Sequence, residues 1–201
     1  MPKLVDHALR RREIIEGVWR LIARNGFEGT TMRDLAAEMG LAYGAVNHYF
    51  PSKNDVLIAS YEHVFKMTQD RFERKVGSRT GIQALWVLAK EMMPIGDEAR
   101  LEARVLLPFW ERCASSERFS AVNAAGLTAV NELFVRLLED AGDSGDIAHG
   151  ADATSLAKML LTLISGAQAL AVLMPDQYPS SVFEQMLGDF FDREIAPAHA
   201  R

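Results

Sequence analysis

Cysteine is almost absent. Cys113 is the single one in 201 residues, which excludes an internal disulfide framework and any multi-thiolate zinc site and suits a reducing compartment. His7, His63, His149 and His199 show no metal-ligand spacing with one another or with acids, so no metal is expected. Strand-like alternation between turn signals is missing, and with it any large sheet. There is no glycine loop placed after a strand to cradle a nucleotide, no HExxH and no carboxylate pair at a telling spacing. An enzyme is therefore not expected, nor is a cofactor. Residues 1–20 hold no apolar stretch followed by a small-residue cleavage site, so no secretion signal is read and a cytoplasmic location is expected. The apolar run nearest membrane length, Leu156–Met174, is interrupted by Lys158, Thr162, Ser165, Gly166 and Gln168. A helix buried on two sides is the expected reading, with no membrane partner. Internal repeats and low-complexity segments are also lacking.

What is present is an ordinary globular balance, 49% hydrophobic and 24% charged residues. The formal net charge of −5 argues against a protein that coats nucleic acid indiscriminately. The charge is uneven, however. Residues 1–55 hold eight Lys or Arg against seven Asp or Glu while the remainder is acidic, so a polyanion should prefer the N-terminal quarter.

Helical periodicity runs almost throughout, and an all-α fold of about nine helices is expected. Ile14, Val18, Leu21 and Ile22 share one face of a helix over roughly 8–25, stopped by Asn25-Gly26. Thr30 and Thr31 can cap a second helix carrying Leu35, Ala36 and Met39 inward, with Gly40 at its end. A third runs from Tyr43 to Tyr49, where Phe50-Pro51-Ser52 ends it. Ser52 or Asn54 can cap a long fourth helix with Val56, Leu57, Tyr61, Val64, Phe65 and Phe72 at helical spacing. A fifth carries Ile82 to Met93, and a sixth, about 97–114, contains Pro108, which predicts a kink near Arg104–Phe109. The seventh carries Phe119 to Leu138, the eighth spans roughly 152–174, and the ninth follows Pro179. The eighth is apolar around most of its circumference and needs two partners. One is expected to be a second copy of the chain, giving a two-fold homodimer through the eighth and ninth helices.

Two short helices joined by a glycine turn have the shape of a helix-turn-helix, whose second helix can enter a major groove. In the third helix Val46 can pack inward, while small Gly44 and Ala45 permit close approach and Tyr43, Asn47, His48 and Tyr49 offer hydrogen bonds. The run from Gly26-Phe27 through the Thr30-Thr31 cap, Leu35-Ala36, the Gly40-Leu41 turn, Gly44, Tyr49-Phe50 and Lys53 resembles the TetR-family DNA-binding domain. His48-Tyr49-Phe50 and the long eighth helix with Gly166 resemble the BetI-type branch.

The resemblance covers residues 8–60 closely and implies a helix-turn-helix domain over 1–55 and a larger helical ligand-binding and dimerisation domain over 56–201. It implies that Thr31, Tyr49 and Lys53 hold phosphates while Arg33, Tyr43, Ala45 and Asn47 face base edges of a double-stranded operator. The chemistry agrees: Arg33 can donate twice to guanine, Asn47 can pair with adenine, and Ala45 can meet a thymine methyl. His48 is a fair phosphate donor, and Arg10-Arg11-Arg12 reads equally as a backbone contact or a solvated face. Many members of the family have serine where Ala42 stands and tyrosine where Asn47 stands, which puts the usual contacts there in question.

In the second region Trp86, Met92, Phe109, Trp110, Cys113, Phe134, Leu138, Met159 and Leu163 fall on inward faces and are the candidates to line an apolar pocket. Any one of them taken singly reads first as plain core, since a methionine and aromatic stripe at helical spacing is more often that. Gln168, Glu111 and Asn131 are the candidate polar groups. The BetI-type resemblance suggests choline as one ligand, for which Trp86, Phe109 and Trp110 would supply an aromatic cage. The expected function is a ligand-responsive transcriptional regulator acting as a repressor, released from a palindromic operator by a small, largely apolar effector. The alternative is a ligand-binding or scaffold protein whose helix-turn-helix survives only as structure.

Overall fold

In the computed structural model, which describes residues 7–147 and 151–195, every regular element among those residues is helical. The first, α1 (His7–Asn25), stops where Gly26 takes a φ of 79° and returns its N–H to the Ile22 carbonyl at 2.8 Å. Next, α2 (Met32–Glu38) begins with a reciprocal cap. The Thr31 hydroxyl accepts from the Asp34 N–H at 3.2 Å, and the Asp34 carboxylate accepts from the Thr31 N–H at 2.8 Å. The Thr31 hydroxyl also donates to that carboxylate at 2.7 Å, and this bond first, then the one from the Thr31 N–H, holds the Asp34 carboxyl below its ordinary pKa. Gly40, with φ of 61°, turns the chain into α3 (Tyr43–Tyr49). Ala42 occupies the N-cap position of α3 and makes no side-chain cap there.

The long α4 (Lys53–Val76) is capped by Ser52 with Asp55, so Asn54 is not the cap. It runs unbroken through position 55. Then come α5 (Gly81–Met92), α6 (Asp97–Cys113), α7 (Glu117–Asp143), α8 (Ala153–Leu173) and α9 (Ser180–Phe190), the last continuing as one π-helical turn over Phe191–Ile195. Pro108 removes the donor for the Arg104 carbonyl, yet α6 is continuous from Asp97 to Cys113.

Two apolar cores organise these helices. The first gathers Trp19 and Ile22 of α1, Leu35 of α2, Val46 of α3 and Leu57 and Tyr61 of α4 around Val105 and Phe109 of α6 and Phe119 of α7. At its centre the Tyr61 and Phe109 rings stack with centroids 3.6 Å apart. The second gathers Leu85 of α5 and Met93 at its C-cap, Phe134 and Leu138 of α7, Leu160 and Ile164 of α8, and Phe183 and Leu187 of α9. Of the N-terminal helices α1 packs directly on α6 and α4, the short α2 packs on α1 and on α3, and α4 connects the two cores.

By length and composition α7 and α8 are apolar enough to cross a membrane; in the fold both are packed into the bundle. Along α8 the buried stripe is Leu156, Leu160, Ile164, Ala167 and Ala171. Met159, Gly166 and Leu173, spaced seven residues apart, lie on an exposed stripe of the same helix.

Candidate nucleic-acid interface and ligand cavity

Only Val46 of α3 is buried, at 0% exposure, and that burial docks the helix with roughly 1.5–3 kcal/mol. Everything the helix holds outward follows from that single anchor. Ala42, Tyr43, Gly44, Ala45, Asn47 and His48 are exposed, and Tyr49 is half-buried with its ring edge-on to His48 at 5.3 Å. Gly44 has open space where a Cβ would stand, consistent with a surface that another body can approach closely. Thr31 and Arg33 stand exposed on the first turn of α2. Glu38, a ready partner for Arg33, is taken by Arg24 at 2.7 Å, and Arg33 makes no ion pair among the described residues. Of the basic run on α1, Arg10 pairs with Glu13 at 2.7 Å and Arg11 lies over the Phe50 ring at 5.0 Å. Thr31, Arg33, the outward residues of α3 and Lys53 thus all belong to the α2–α4 region at one end of the molecule.

Lys53 is held rather than free. Its ammonium lies 4.3 Å from the Phe27 ring centroid and donates to the Glu28 carbonyl at 3.3 Å. Arg112, near the end of α6, pairs with the Glu28 carboxylate at 2.6 Å and stands 4.7 Å from the same Phe27 centroid. Arg118, on the first turn of α7, reaches the Asp55 carboxylate of the α4 cap at 2.7 Å. Asp55 is accordingly held below its ordinary pKa, first by Ser52 and then by Arg118, against the pull of burial. These contacts fasten the α6–α7 corner to the turn between α1 and α2 and to the start of α4, next to the expected phosphate ligand. Sequence reasoning missed them because the partners lie more than sixty positions apart.

Below that corner, α4, α5, α6, α7 and α8 enclose a cavity of about 700 Å³, the size of a small-molecule site. The helices α4 and α7 touch where Gly126 faces Phe65: a Cβ at Gly126 would stand 3.3 Å from Phe65 Cε1. The cavity opens between the remaining lengths of the same two helices, with Glu62, Lys66, Gln69 and Glu73 on α4 and Ala125, Ala129 and Arg136 on α7. Its walls are mainly apolar, from Phe65, Phe72, Leu88, Leu106, Val130 and Leu133 among others.

Met92, Trp110 and Gln168 are on the wall. The other sequence-chosen pocket residues are elsewhere. Phe109 is stacked on Tyr61, while Phe134 and Leu138 are fully buried in the second core. Trp86 is turned edge-on to Phe191 at 4.8 Å. Met159 is on the outward side of α8, and Leu163 and Cys113 are half-buried off the cavity. The Cys113 thiol has its pKa pushed up by burial and donates to the Phe109 carbonyl at 3.4 Å. Trp86, Phe109 and Trp110 therefore do not assemble into one cage. Of the expected polar groups, Glu111 is exposed and Asn131 stands off the cavity, whereas Gln168 donates to the Met92 carbonyl at 2.8 Å. Tyr61, Phe65, Phe72, Gly126 and Val130 line the space although sequence periodicity marked them only as inward-facing.

One ion pair braces this region. Arg71 of α4 donates to both oxygens of Glu102 of α6 at 2.6 and 2.9 Å and to Glu91 of α5 at 3.2 Å. Burial pushes the Glu102 carboxyl above its ordinary pKa, and Arg71 offsets that only in part.

Comparison with known proteins agrees with this division of labour. Residues 14–59 match the family described as bacterial regulatory proteins, tetR family, and residues 83–196 match the BetI-type transcriptional repressor C-terminal family. The HTH-type transcriptional regulator PksA of Bacillus subtilis (strain 168) is 29% identical over 177 residues, covering 87% of this chain and 84% of that protein. The HTH-type transcriptional regulator BetI of Burkholderia mallei (strain NCTC 10229) is 25% identical over 207 residues, covering 98% and 99%. A putative transcriptional regulator from Saccharomonospora viridis, solved in complex with choline, superposes with a TM-score of 0.85 at 24% identity, covering 94% of this chain and 98% of that one. With its N-terminal match seated on the helix-turn-helix and its C-terminal match on the cavity-bearing bundle, the chain belongs to the TetR family of bacterial transcriptional regulators, in the branch with a BetI-type repressor C-terminal domain.

Proposed function

We propose that this protein is a homodimeric repressor that binds a palindromic operator through α3 and leaves it when a small, largely apolar molecule fills the cavity. The observation that carries the reading is the fastening of the α6–α7 corner to the N-terminal helices beside Lys53, by Arg112–Glu28 at the turn before α2 and by Arg118–Asp55 at the start of α4. A ligand that shifts α6 or α7 changes those pairs and with them the set of the two recognition helices. The coupling has to be differential: a ligand that prefers the released form by about 1–3 kcal/mol weakens the operator about 5–150-fold.

Operator contacts are assigned to Thr31, Arg33, Ala42, Tyr43, Gly44, Ala45, Asn47, His48, Tyr49 and Lys53. All ten are solvent-facing or half-buried at one end of the molecule, which supports the assignment. Lys53 would exchange its partners Phe27 and Glu28 for a phosphate. Dimerisation is assigned to α8 and α9. The exposed Met159–Gly166–Leu173 stripe supports it, since a second copy related by a two-fold axis covers the same apolar surface on both chains at once.

Choline, the ligand of the Saccharomonospora protein, is not adopted for this chain, because the three aromatics that would cage it stand apart. Selection from a random duplex pool with the purified protein tests the reading. A palindrome with half-sites about 34–36 Å apart, or a multiple of it, is expected. Recovery of unrelated sequences would leave the helix-turn-helix as structure alone.

A further inference from the structure

Two acids stand near the lysine assigned to phosphate, and each is held by an arginine of the α6–α7 corner. Asp55, two positions after Lys53, is spent on the Ser52 cap and on Arg118 at 2.7 Å. Glu28 is held differently. Its Oε1 lies 2.6 Å from Arg112 Nη2, while its Oε2 lies 3.9 Å from Lys53 Nζ, about 1 Å beyond ordinary hydrogen-bond distance. One carboxylate is thus shared unequally between a cation of α6 and a cation of α4. Both cations also lie against the Phe27 ring, and the Lys53 ammonium already donates to the Glu28 carbonyl at 3.3 Å.

A phosphate and a carboxylate ask for the same ammonium, so the two are rivals for Lys53. With Arg112 in place the Glu28 charge is offset, and Lys53 gives up only a carbonyl and a ring face to meet a phosphate. Without Arg112, Lys53 is the remaining ion-pair partner of Glu28 among the described residues. Glu28 is exposed, so its side chain can close that last gap without disturbing either core. Arg112 follows the cavity-wall residue Trp110 by two positions on α6, and its hold on Glu28 therefore depends on where that wall stands.

We infer that Arg112 is a positioning residue for DNA binding: it keeps the Glu28 carboxylate off Lys53. Loss of that hold, by substitution or by a ligand that displaces the end of α6, hands Lys53 to Glu28 and takes it from the DNA phosphate. This rests on the reading of Lys53 as a phosphate contact, and it adds to the fastening of the corner a change of charge at the interface itself.

The test is fluorescence anisotropy of the full chain on its selected duplex across a range of salt. Arg112→Ala is expected to weaken binding by about two- to five-fold for each half-site, the range of an exposed ion pair, and to flatten the salt slope by up to about 0.9 for each phosphate lost. Arg112→Lys should keep most of the affinity. Glu28→Gln should bind at least as tightly as the unaltered protein, and combined with Arg112→Ala it should restore both affinity and slope. In a Lys53→Ala background Arg112→Ala should cost nothing further. A pair that only fastens the corner would make Glu28→Gln and Arg112→Ala weaken binding alike, which overturns the inference; because Glu28 is exposed, that sign can be read even if Arg112→Ala folds poorly. An Arg112→Ala loss that persists with Glu28→Gln, or that is undiminished in Lys53→Ala, makes Arg112 a phosphate ligand or a distant charge and overturns it too. If Lys53→Ala alone changes neither affinity nor slope, the reading of Lys53 is what fails, and the inference falls with it.

Discussion

Removing either end of the Arg71–Glu102 pair should damage the fold unequally, and the inequality follows from what each end leaves behind. Glu102 is 4% exposed and its side chain receives two short bonds from Arg71. In Arg71→Met, Glu102 stays buried with no cation beside it, while Glu91 keeps Lys75 at 2.7 Å. In Glu102→Leu, Arg71 keeps Glu91 at 3.2 Å. Breaking a buried pair usually destabilises by about 3–5 kcal/mol, so Arg71→Met belongs near the upper figure and Glu102→Leu near the lower. For a chain of this size about 3 kcal/mol corresponds to roughly 6–12 °C in Tm. The double variant replaces both charges with apolar groups and should recover most of the loss. Acidification should help Arg71→Met selectively: the Glu102 pKa is already raised by burial, so its folded state takes up the proton first and the uncompensated charge disappears. Thermal and urea unfolding at one fixed protein concentration measure all three. A double variant no more stable than the worse single, or Glu102→Leu falling below Arg71→Met, would refute the assignment of Arg71 as the shared counter-ion.

Other outcomes are expected at the DNA end and in the core. Lys53→Ala should weaken binding to every sequence and flatten the plot of log affinity against log salt by about 0.9 for each phosphate no longer neutralised, read by fluorescence anisotropy. Arg33→Ala should relax preference at one base pair, worth about 1–3 kcal/mol, in a repeat of the DNA selection, and unchanged preference would remove Arg33 from the base-reading set. Ala42→Ser supplies the missing side-chain cap of α3 and should raise stability by about 1 kcal/mol in urea melts, where a fall would mean the α3 start is wrongly placed. Burial lowers the His63 pKa below 6.5, so the unfolded chain binds the extra proton: stability is fully present above 6.5 and declines as pH falls through that value toward the folded pKa. His63→Gln should remove that share of the pH dependence, and an unchanged melting profile across the window contradicts it.

The elements that sequence made legible are those set by neighbours in the chain. Thr31 and Ser52 cap because an acid stands three residues on, and Gly26 and Gly40 mark ends because the chain needs positive φ there. The outward face of α3 was readable because Val46 is its sole buried residue. The cavity was not, and the reason is geometric. Periodicity tells which side of a helix is inward; it does not tell which inward residues meet atoms and which meet space, a matter of how α4 and α7 separate beyond Phe65 and Gly126. That is why Phe134 and Leu138 became core and Phe72 and Val130 became wall. On α8 the apolar circumference leaves the faces indistinguishable in the sequence, so periodicity places Met159 inward although it is 46% exposed. Arg71–Glu102 joins positions 31 apart, and no local pattern encodes it.

The central claim is that this chain reads DNA by sequence through α3 and holds it through phosphates. Its most direct test is the affinity of the purified protein for its selected duplex and for scrambled duplex across a range of salt. Binding at roughly 10⁻⁸–10⁻¹¹ M to the selected site at physiological salt is expected, with at least a thousand-fold weaker binding to the scrambled one and a steep negative slope of log affinity against log salt. Equal, weak affinities for both duplexes would contradict it, and the helix-turn-helix would then serve only to complete the first core.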